Sequence, residues 1–499
     1  MKVDYKAHPE IPKGCSQNLN KKTGLYQVYR EYRYIDPETK QKKVTRDTIG
    51  SIRDGVFRFG ENYLLREKNK ALEAENAALK ASLKAHETIQ ETNKDVKENA
   101  EAVTNRIKEA LNQTNLDRRR QESVLIPLAP LSLAALMTAL TGQTDAVVIQ
   151  DYLEHNKEFF AQYLPELLLP AVSHDTIRRS LLLAKPCAMQ GFHTNLSSSL
   201  IKDLSLRVLN VDGQAVRGSG RRTKDKPEVH GAQMLMNVFD ANNRVCLASK
   251  LIAKKTNEIT VGPQMLAELD LNGCVVTADA MSCQVAFVDT VLEQGANYLI
   301  SLKGNQDRTL KDVRSHFSTA DASNIFTHTP EIELDHGRIE ERRIRVLPGR
   351  FVSKELLEKW NGLRSGSVVE MLKITTIKAT GQRSEELSYY MTSLPASEDT
   401  SERIYQVLRS HWSVENNLHY MLDMFWHQDQ MRASHPRYIA NCSMLFKMAL
   451  AFLENYRYWL WAKGLIDKED GVSIKTLQKR CQNPRVALEC LAAGLGLIH

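Results

Sequence analysis

The spacing of apolar positions changes several times along the chain, and each change predicts a different kind of element. Residues 25–52, LYQVYREYRYIDPETKQKKVTRDTIGSI, carry aromatics on alternate positions ahead of the turn-prone DPETK. Alternation buries one face of a strand, so a β-hairpin is expected, with Lys42, Lys43 and Arg46 on its return strand. From Glu61 to Leu111 there is neither Pro nor Gly, and Leu65, Asn69, Leu72, Asn76, Leu79, Leu83 and His86 recur at intervals of four and three. On a helix such positions fall on one seam, which predicts a coiled coil, and asparagines in the seam favour one register and a low oligomer number. Val96, Ala100, Val103, Ile107 and Leu111 resume the spacing after an interruption. A homodimer is expected, the other reading being a single long solvated helix or one folded back on its own domain.

After the basic LDRRRQES, residues 126–185 alternate apolar helical segments with turn signals, and Ser173 and Asp175 suit a helix start before Thr176. The Ser, His and Asp of SHDTIRR are adjacent and cannot face one another as a catalytic triad. A small helical domain is expected. The character then changes. LSLRVLNVDGQAV (204–216) is an apolar run of strand length that reaches Asp212-Gly213, and HGAQMLMNVFDANNRVCLASKLI (230–252) has the form of a hairpin. The helix TVGPQMLAELDL, the strand GCVVTADAM, the helix CQVAFVDTVLEQG and the strand NYLISLKGNQ follow. That succession describes a mixed α/β sheet covered by helices. Residues 326–394 are β-patterned throughout and read as a strand-rich subdomain inserted before the helix that carries Glu415. The expected domains are a basic hairpin (1–55), a coiled coil (56–113), a helical domain (114–195), a core in two parts (196–325 and 397–463) around the insertion (326–396), and a helical tail (464–499).

Composition narrows the class. At 499 residues and 42% hydrophobic the chain is long enough for several packed domains. The excess of 67 Lys+Arg over 60 Asp+Glu gives a net charge of +7, a weak pointer to a polyanionic partner. The eight cysteines form no CxxC pair and no zinc spacing, which suits reduced thiols in a cytosol. No apolar run approaches the roughly 20 residues that span a bilayer, and the start of the chain lacks a signal-peptide pattern. A cytoplasmic protein with no membrane partner is expected.

Asp212 and Asp279 fall at the ends of two apolar strands that are able to neighbour each other in one sheet, and Glu415 lies on a helix after it, in RSHWSVENNLHYMLD (409–423). Each has a plain alternative: an Asp beside a turn, or an exposed helical carboxylate. Brought together, three carboxylates suit a hard cation such as Mg2+, which takes oxygen ligands and leaves positions for water and phosphate.

The motifs NVDGQAVRGS (210–219), HGAQMLMNVFD (230–240), KTNEIT (255–260), TADAMSCQ (277–284), YLISLKGNQ (298–306), HGRIEERR (336–343) and RSHWSVENNLHYMLD, in that order, resemble the DDE-type insertion-sequence transposases of the H-repeat-associated branch. The resemblance covers about residues 125–455. It implies a ribonuclease H-like catalytic core, binding of double-stranded DNA at transposon ends and target, and strand cleavage and joining with Mg2+, for which Mn2+ substitutes. The three acidic positions fall on Asp212, Asp279 and Glu415, as catalytic and metal-binding residues. Many related transposases place a Tyr and an Arg before the Glu and a Lys after it; here Leu408, His411 and Leu422 stand there, and Gln214 stands where this branch commonly has Lys.

Positive charge in the insertion gathers at His336, Arg338, Arg342, Arg343 and Arg345, either to meet DNA or to pair with the alternating glutamates. Lys303, at a strand end, is the stronger phosphate contact. With Asn305, Arg217, Arg338, Arg342 and His411 it makes up the expected DNA-binding set. An active nucleoid-associated transposase, a DNA-binding regulator that retains the fold, and a metal-dependent nuclease without strand joining all fit these residues; three retained acids favour an enzyme, because buried like charges repel unless a cation joins them.

Overall fold

The computed structural model describes residues 14–23, 25–35, 40–54, 56–114, 116, 124, 126–167, 172–204, 207–223, 226–252, 258–335, 337–433, 435–468 and 471–498. Most of the DPETK turn, most of the basic stretch after Leu116, the start of KTNEIT and His336 lie outside them. The chain divides into two compact units, Met1–Asp95 and Val96–His499.

In the first unit the expected hairpin is the middle of a four-stranded antiparallel sheet. β2 (Tyr26–Ile35) pairs with β3 (Lys42–Arg53), flanked by β1 (Cys15–Leu19) and β4 (Val56–Phe59). The outer strands escaped the sequence pattern because CSQNL buries only its cysteine and VFRF is only four residues long. Cys15, Val28, Ile49, Ile52 and Phe57 form a small core, and Phe59 stacks on Tyr63 with ring centroids 5.5 Å apart. Tyr63 belongs to α1 (Glu61–Thr114), on which Leu65 and Leu72 are 61% and 47% exposed.

The later half of the predicted coiled-coil seam is corrected by the second unit. Ala100, Val103, Ile107 and Leu111 are buried in that unit's own core. They share that core with α2 (Leu128–Ala139), α3 (Ala146–His155), α4 (Lys157–Tyr163), α5 (His174–Leu183) and α6 (Pro186–Ser197), and Asn195 of α6 donates to Gln113 at 3.1 Å. The periodicity reports one buried stripe, which a neighbouring helix of the same chain covers as well as a partner does. Ser173 caps α5 as expected, its hydroxyl accepting from the Thr176 amide.

The central sheet is built on β5 (Val208–Val216). β8 (Gln233–Asp240) pairs with it antiparallel and β9 (Val245–Ile252) with β8, while β10 (Val275–Ala278) lies parallel on its other side and β11 (Asn297–Leu302) parallel beyond that. A small separate ribbon, β6 (Arg221–Thr223) with β7 (Lys226–His230), sits between β5 and β8 in sequence. Alternation along these strands sends Leu209, Val211, Val276, Ala278, Tyr298 and Ile300 into one core and Val208, Val275 and Leu299 into another. α7 (Glu258–Leu266) and α8 (Val285–Glu293) are helices of the first side, where Phe287, Val288 and Val291 are buried.

The insertion is not a separate body. α9 (Asp307–Thr319) leads into it, and β12 (Phe326–His328), β13 (Glu333–Asp335), β14 (Arg338–Pro348), α10 (Lys354–Lys359), β15 (Ser367–Ile377) and β16 (Arg383–Thr392) make it up. β16 pairs antiparallel with β11, so the inserted strands extend the core sheet, in the order β12-β14-β15-β16-β11-β10-β5-β8-β9 with β13 beside β14. No local pattern marks which strand a distant one will join, so the sequence left this edge undrawn. α11 (Glu398–His411) then crosses the second core with Ile404, Tyr405, Val407 and Leu408. α12 (Tyr420–Phe425), the long α13 (Pro436–Ala462), α14 (Ile474–Arg480) and α15 (Pro484–Gly494) complete the chain. Among the described residues no helix is long and apolar enough to cross a membrane.

Candidate active site

The sheet register places the first two carboxylates. Ala278 of β10 is the partner of Val211 of β5, so the next residues, Asp279 and Asp212, stand side by side on adjacent parallel strands, which lie ~4.8 Å apart. Asp212 remains inside β5 with its side chain 19% exposed, whereas Asp279 has left β10 and is 61% exposed. The residues two positions earlier share the same face and tie the third element down. Asn210 donates to the Ser410 carbonyl at 2.7 Å and the Ser413 hydroxyl at 2.9 Å, while Thr277 donates to Asn210 at 2.7 Å and meets His411 Nδ1 at 2.9 Å. Those contacts hold the end of α11 over the strand ends.

Glu415 follows from that anchoring. Between α11 and α12 the chain makes one π-helical turn, Glu415–His419, with Val414 and Leu418 buried beneath it. Such wide turns cost hydrogen-bond geometry and occur most often at functional positions. Glu415 and His419 stand at the two ends of the turn, Glu415 exposed and His419 turned inward, its Nδ1 3.5 Å from Asp212 Oδ2. His411 mirrors it from α11, with Nε2 3.6 Å from Asp279 Oδ1.

The electrostatics couple Asp212 to both of the other acids. Burial first, then the charge of Asp279, raises the Asp212 carboxyl to about 7; Glu415 adds to the rise, and the Gly213 amide and His411 oppose it. Burial, then the ammonium of Lys447, pushes His419 down to about 3, which keeps its ring neutral. Carboxylates that raise one another's proton affinity form a site that a cation would complete. Among the described residues, however, no three His, Cys, Asp or Glu groups stand close enough to hold a metal ion by themselves.

The expected DNA contacts separate. Lys303 is exposed at the end of β11 and lines a hollow with Asp279, Lys373, Tyr390, His411 and Trp412. Arg217 is exposed just past β5, and its charge partly offsets the burial and the Asp429 charge that bring the Asp423 carboxyl up to about 6. Arg338 is exposed at the start of β14. Arg342 needs correction: it is buried and forms ion pairs with Glu340 and, at 2.9 Å, with Glu333, which also receives Arg409 at 3.1 Å. A guanidinium enclosed by carboxylates has no face for a phosphate. Arg345 is likewise bound to Glu370 at 2.7 Å. The exposed Asn305 donates to the Ala280 carbonyl at 2.6 Å, which braces the loop after Asp279. Leu408 and Leu422 are buried, which explains why neither position carries a polar phosphate contact.

His419, Asn237 and Lys447, which surround Asp212, were missed by the sequence. Asn237 is the strand partner of Asp212, and Gln214 donates to Asp423 at 3.2 Å. One signal was available: the lysine inside the apolar run SMLFKMALAF has no place in a helix core unless polar groups meet it.

Residues 203–450 match the family model described as Transposase DDE domain. The "H repeat-associated putative transposase YhhI" of Escherichia coli K12 is 26% identical over 386 residues, which cover 76% of this chain and 96% of that one. An uncharacterized protein in the dhlA 3′ region of Xanthobacter autotrophicus is 30% identical over 287 residues, covering 55% of this chain and 90% of the relative. Among solved structures, a cryo-EM structure of a piggyBac transposase synaptic complex with hairpin DNA aligns over 78% of each chain at 10% identity, with a TM-score of 0.35.

Proposed function

Since the chain belongs to the DDE-type insertion-sequence transposases, in their H-repeat-associated branch, we propose that Asp212, Asp279 and Glu415 are its catalytic triad and that it cuts and joins double-stranded DNA at transposon ends. The observation that carries this reading is the adjacency of Asp212 and Asp279 on parallel strands, with Glu415 raising the same carboxyl. The strand arrangement around them, three antiparallel strands in a row with two parallel ones added beside the first, supports a ribonuclease H-like core.

The three carboxylates would hold Mg2+, with Mn2+ able to replace it. A bound divalent ion supplies a more acidic water and stabilises the leaving oxygen of the phosphodiester. The chain does the rest. Thr277 and Asn210 hold the end of α11 so that Glu415 reaches the strand ends, and His419 and His411 flank the two aspartates. Lys303 and Arg217, both exposed, together with Arg338 farther along the sheet, take the phosphates, and the substrate places the enzyme at the nucleoid in the cytoplasm. Purified protein with Mg2+ and labelled DNA carrying the element's ends should give a double-strand break at a defined end; no break at any end DNA, in Mg2+ or Mn2+, would sink the proposal.

Changing Lys303 and Arg338 together to Ala should weaken binding of all DNA sequences alike and flatten its salt dependence by roughly two phosphate contacts. A gel-shift series over salt concentration reads this directly, and a loss confined to one end sequence would point to base contact instead.

Two ends must be held at once, so a dimer is part of the proposal. Leu65 and Leu72, exposed on α1 at seam spacing, are the side chains for a second copy of the helix to cover. Leu65→Ser with Leu72→Ser should shift the protein toward monomer in light scattering while leaving single-end cleavage intact. An unchanged mass at micromolar concentration would remove α1 as the interface.

A further inference from the structure

We propose that Lys447, buried in α13, is a positioning residue that fixes which nitrogen of His419 carries the proton and thereby aims an N–H at Asp212; the part that concerns catalysis rests on the triad reading above.

The inference follows from hydrogen-bond direction. An ammonium group donates and never accepts. Lys447 Nζ lies 2.6 Å from Ser249 Oγ and 2.9 Å from Ser443 Oγ, so both hydroxyls accept from it and must send their own protons outward. Ser249 sends its proton to Asn237 Oδ1 at 2.9 Å. The Asn237 amide is thus oriented with its oxygen toward Ser249 and its NH2 toward His419, where Nδ2 meets Nε2 at 3.2 Å. Nε2 must accept. The ring proton then resides on Nδ1, the nitrogen 3.5 Å from Asp212 Oδ2.

The sheet makes the relay straight. Asp212, Asn237 and Ser249 are successive cross-strand partners on β5, β8 and β9, so they form one row on one face. Lys447 meets that row at its far end from α13, and His419 bridges its near end from the π-turn. A second chain leaves the same ammonium through Ser443, which donates to Gln428 at 2.7 Å; Gln428 donates to Gln214 at 2.8 Å, and Gln214 to Asp423. One buried cation therefore sets the direction of two hydrogen-bond chains, each ending on a carboxylate. An N–H aimed from 3.5 Å at one oxygen of Asp212 favours that orientation of the carboxylate and leaves the other oxygen for a ligand, the usual task of groups behind a metal site.

The test separates tautomer from turnover. Histidine-15N-labelled full-length protein without metal is examined by long-range proton–nitrogen correlation, and the His419 signals are identified by their loss in His419→Gln. Wild type and Ser443→Ala should show the proton on Nδ1. Asn237→Asp offers only acceptors to Nε2 and should move a proton there; Ser249→Ala and Lys447→Met release the amide and should give a mixture of both forms. In single-turnover cleavage Ser249→Ala should be about 10–100-fold slower at unchanged DNA affinity. A proton on Nε2 in wild type overturns the proposal, as does an unchanged Nδ1 form in both Ser249→Ala and Lys447→Met. If the tautomer shifts in Ser249→Ala and the cleavage rate does not, the positioning role is overturned. Failure of the triad reading looks different: wild type itself cuts no end DNA while the Nδ1 form persists.

Discussion

Asp212→Asn, Asp279→Asn and Glu415→Gln should each lower cleavage of end DNA by at least about 10³-fold, equivalent to roughly 4 kcal/mol of transition-state stabilisation. The substitutions are nearly isosteric, so the strand register and the Asn210 and Thr277 ties that build the site remain. What is lost is one ligand charge. Binding of DNA, which depends on Lys303 and its neighbours, should be unchanged in gel shift. Asp212→Asn carries an added signature. Because burial and Asp279 raise the folded carboxyl to about 7, its ionised form is disfavoured in the fold, and above that pH the neutral amide removes the cost. The metal-free variant should therefore melt no lower than wild type at pH 8. Any of the three that cleaves at near wild-type rate is not in the triad.

Gly349→Ala should be the most damaging single change to the folded state outside the site. A Cβ on Gly349 would lie 1.8 Å from the Leu363 carbonyl oxygen, a backbone atom that cannot swing aside, and the Gly349 amide is bonded to the Gly366 carbonyl at 2.8 Å. Gly366 is as tightly placed, with a Cβ falling 2.1 Å from the Thr392 carbonyl at the end of β16. Both glycines lie in the β14–β15 connection, Gly366 where it passes the end of β16. Relief requires the strands to part, so a loss of about 3 kcal/mol or more and a drop in soluble yield are expected. Gly381→Ala is the control: nothing lies near its Cβ, and only its left-handed φ of 68° opposes the change. Thermal melts of Gly349→Ala, Gly366→Ala and Gly381→Ala that rank the last as the least stable would show that the close approach is not what matters.

The sequence revealed most where chemistry and local pattern coincide. Asp212 and Asp279 were readable because apolar runs lead into them, and the register then put them together. Glu415 took its meaning from resemblance; its own surroundings on an exposed helix turn say little. Arg342 was misread because alternating Arg and Glu on a strand look the same whether they face solvent or one another, and only the approach of β13 and α11 decides. The later half of the α1 seam is a buried stripe as its spacing predicts, but Ala100, Val103, Ile107 and Leu111 meet their own chain instead of a partner. His419 and Lys447 joined the site through Asn237 and Ser249, residues that are ordinary in strands until paired.

The union of β11 with β16 has a consequence for synthesis. The two strands are separated by the whole insertion, so β11 leaves the ribosome long before its partner exists and waits as an open edge of a half-made sheet. Chains end to end on a polysome offer that edge to one another. Elongation at ~5–20 residues per second leaves it unpaired for several seconds, during which α9, emerging directly after β11, is the first segment able to shelter it. The sheet therefore takes its final strand order only after the chain has reached Thr392, with Glu415 still to be made.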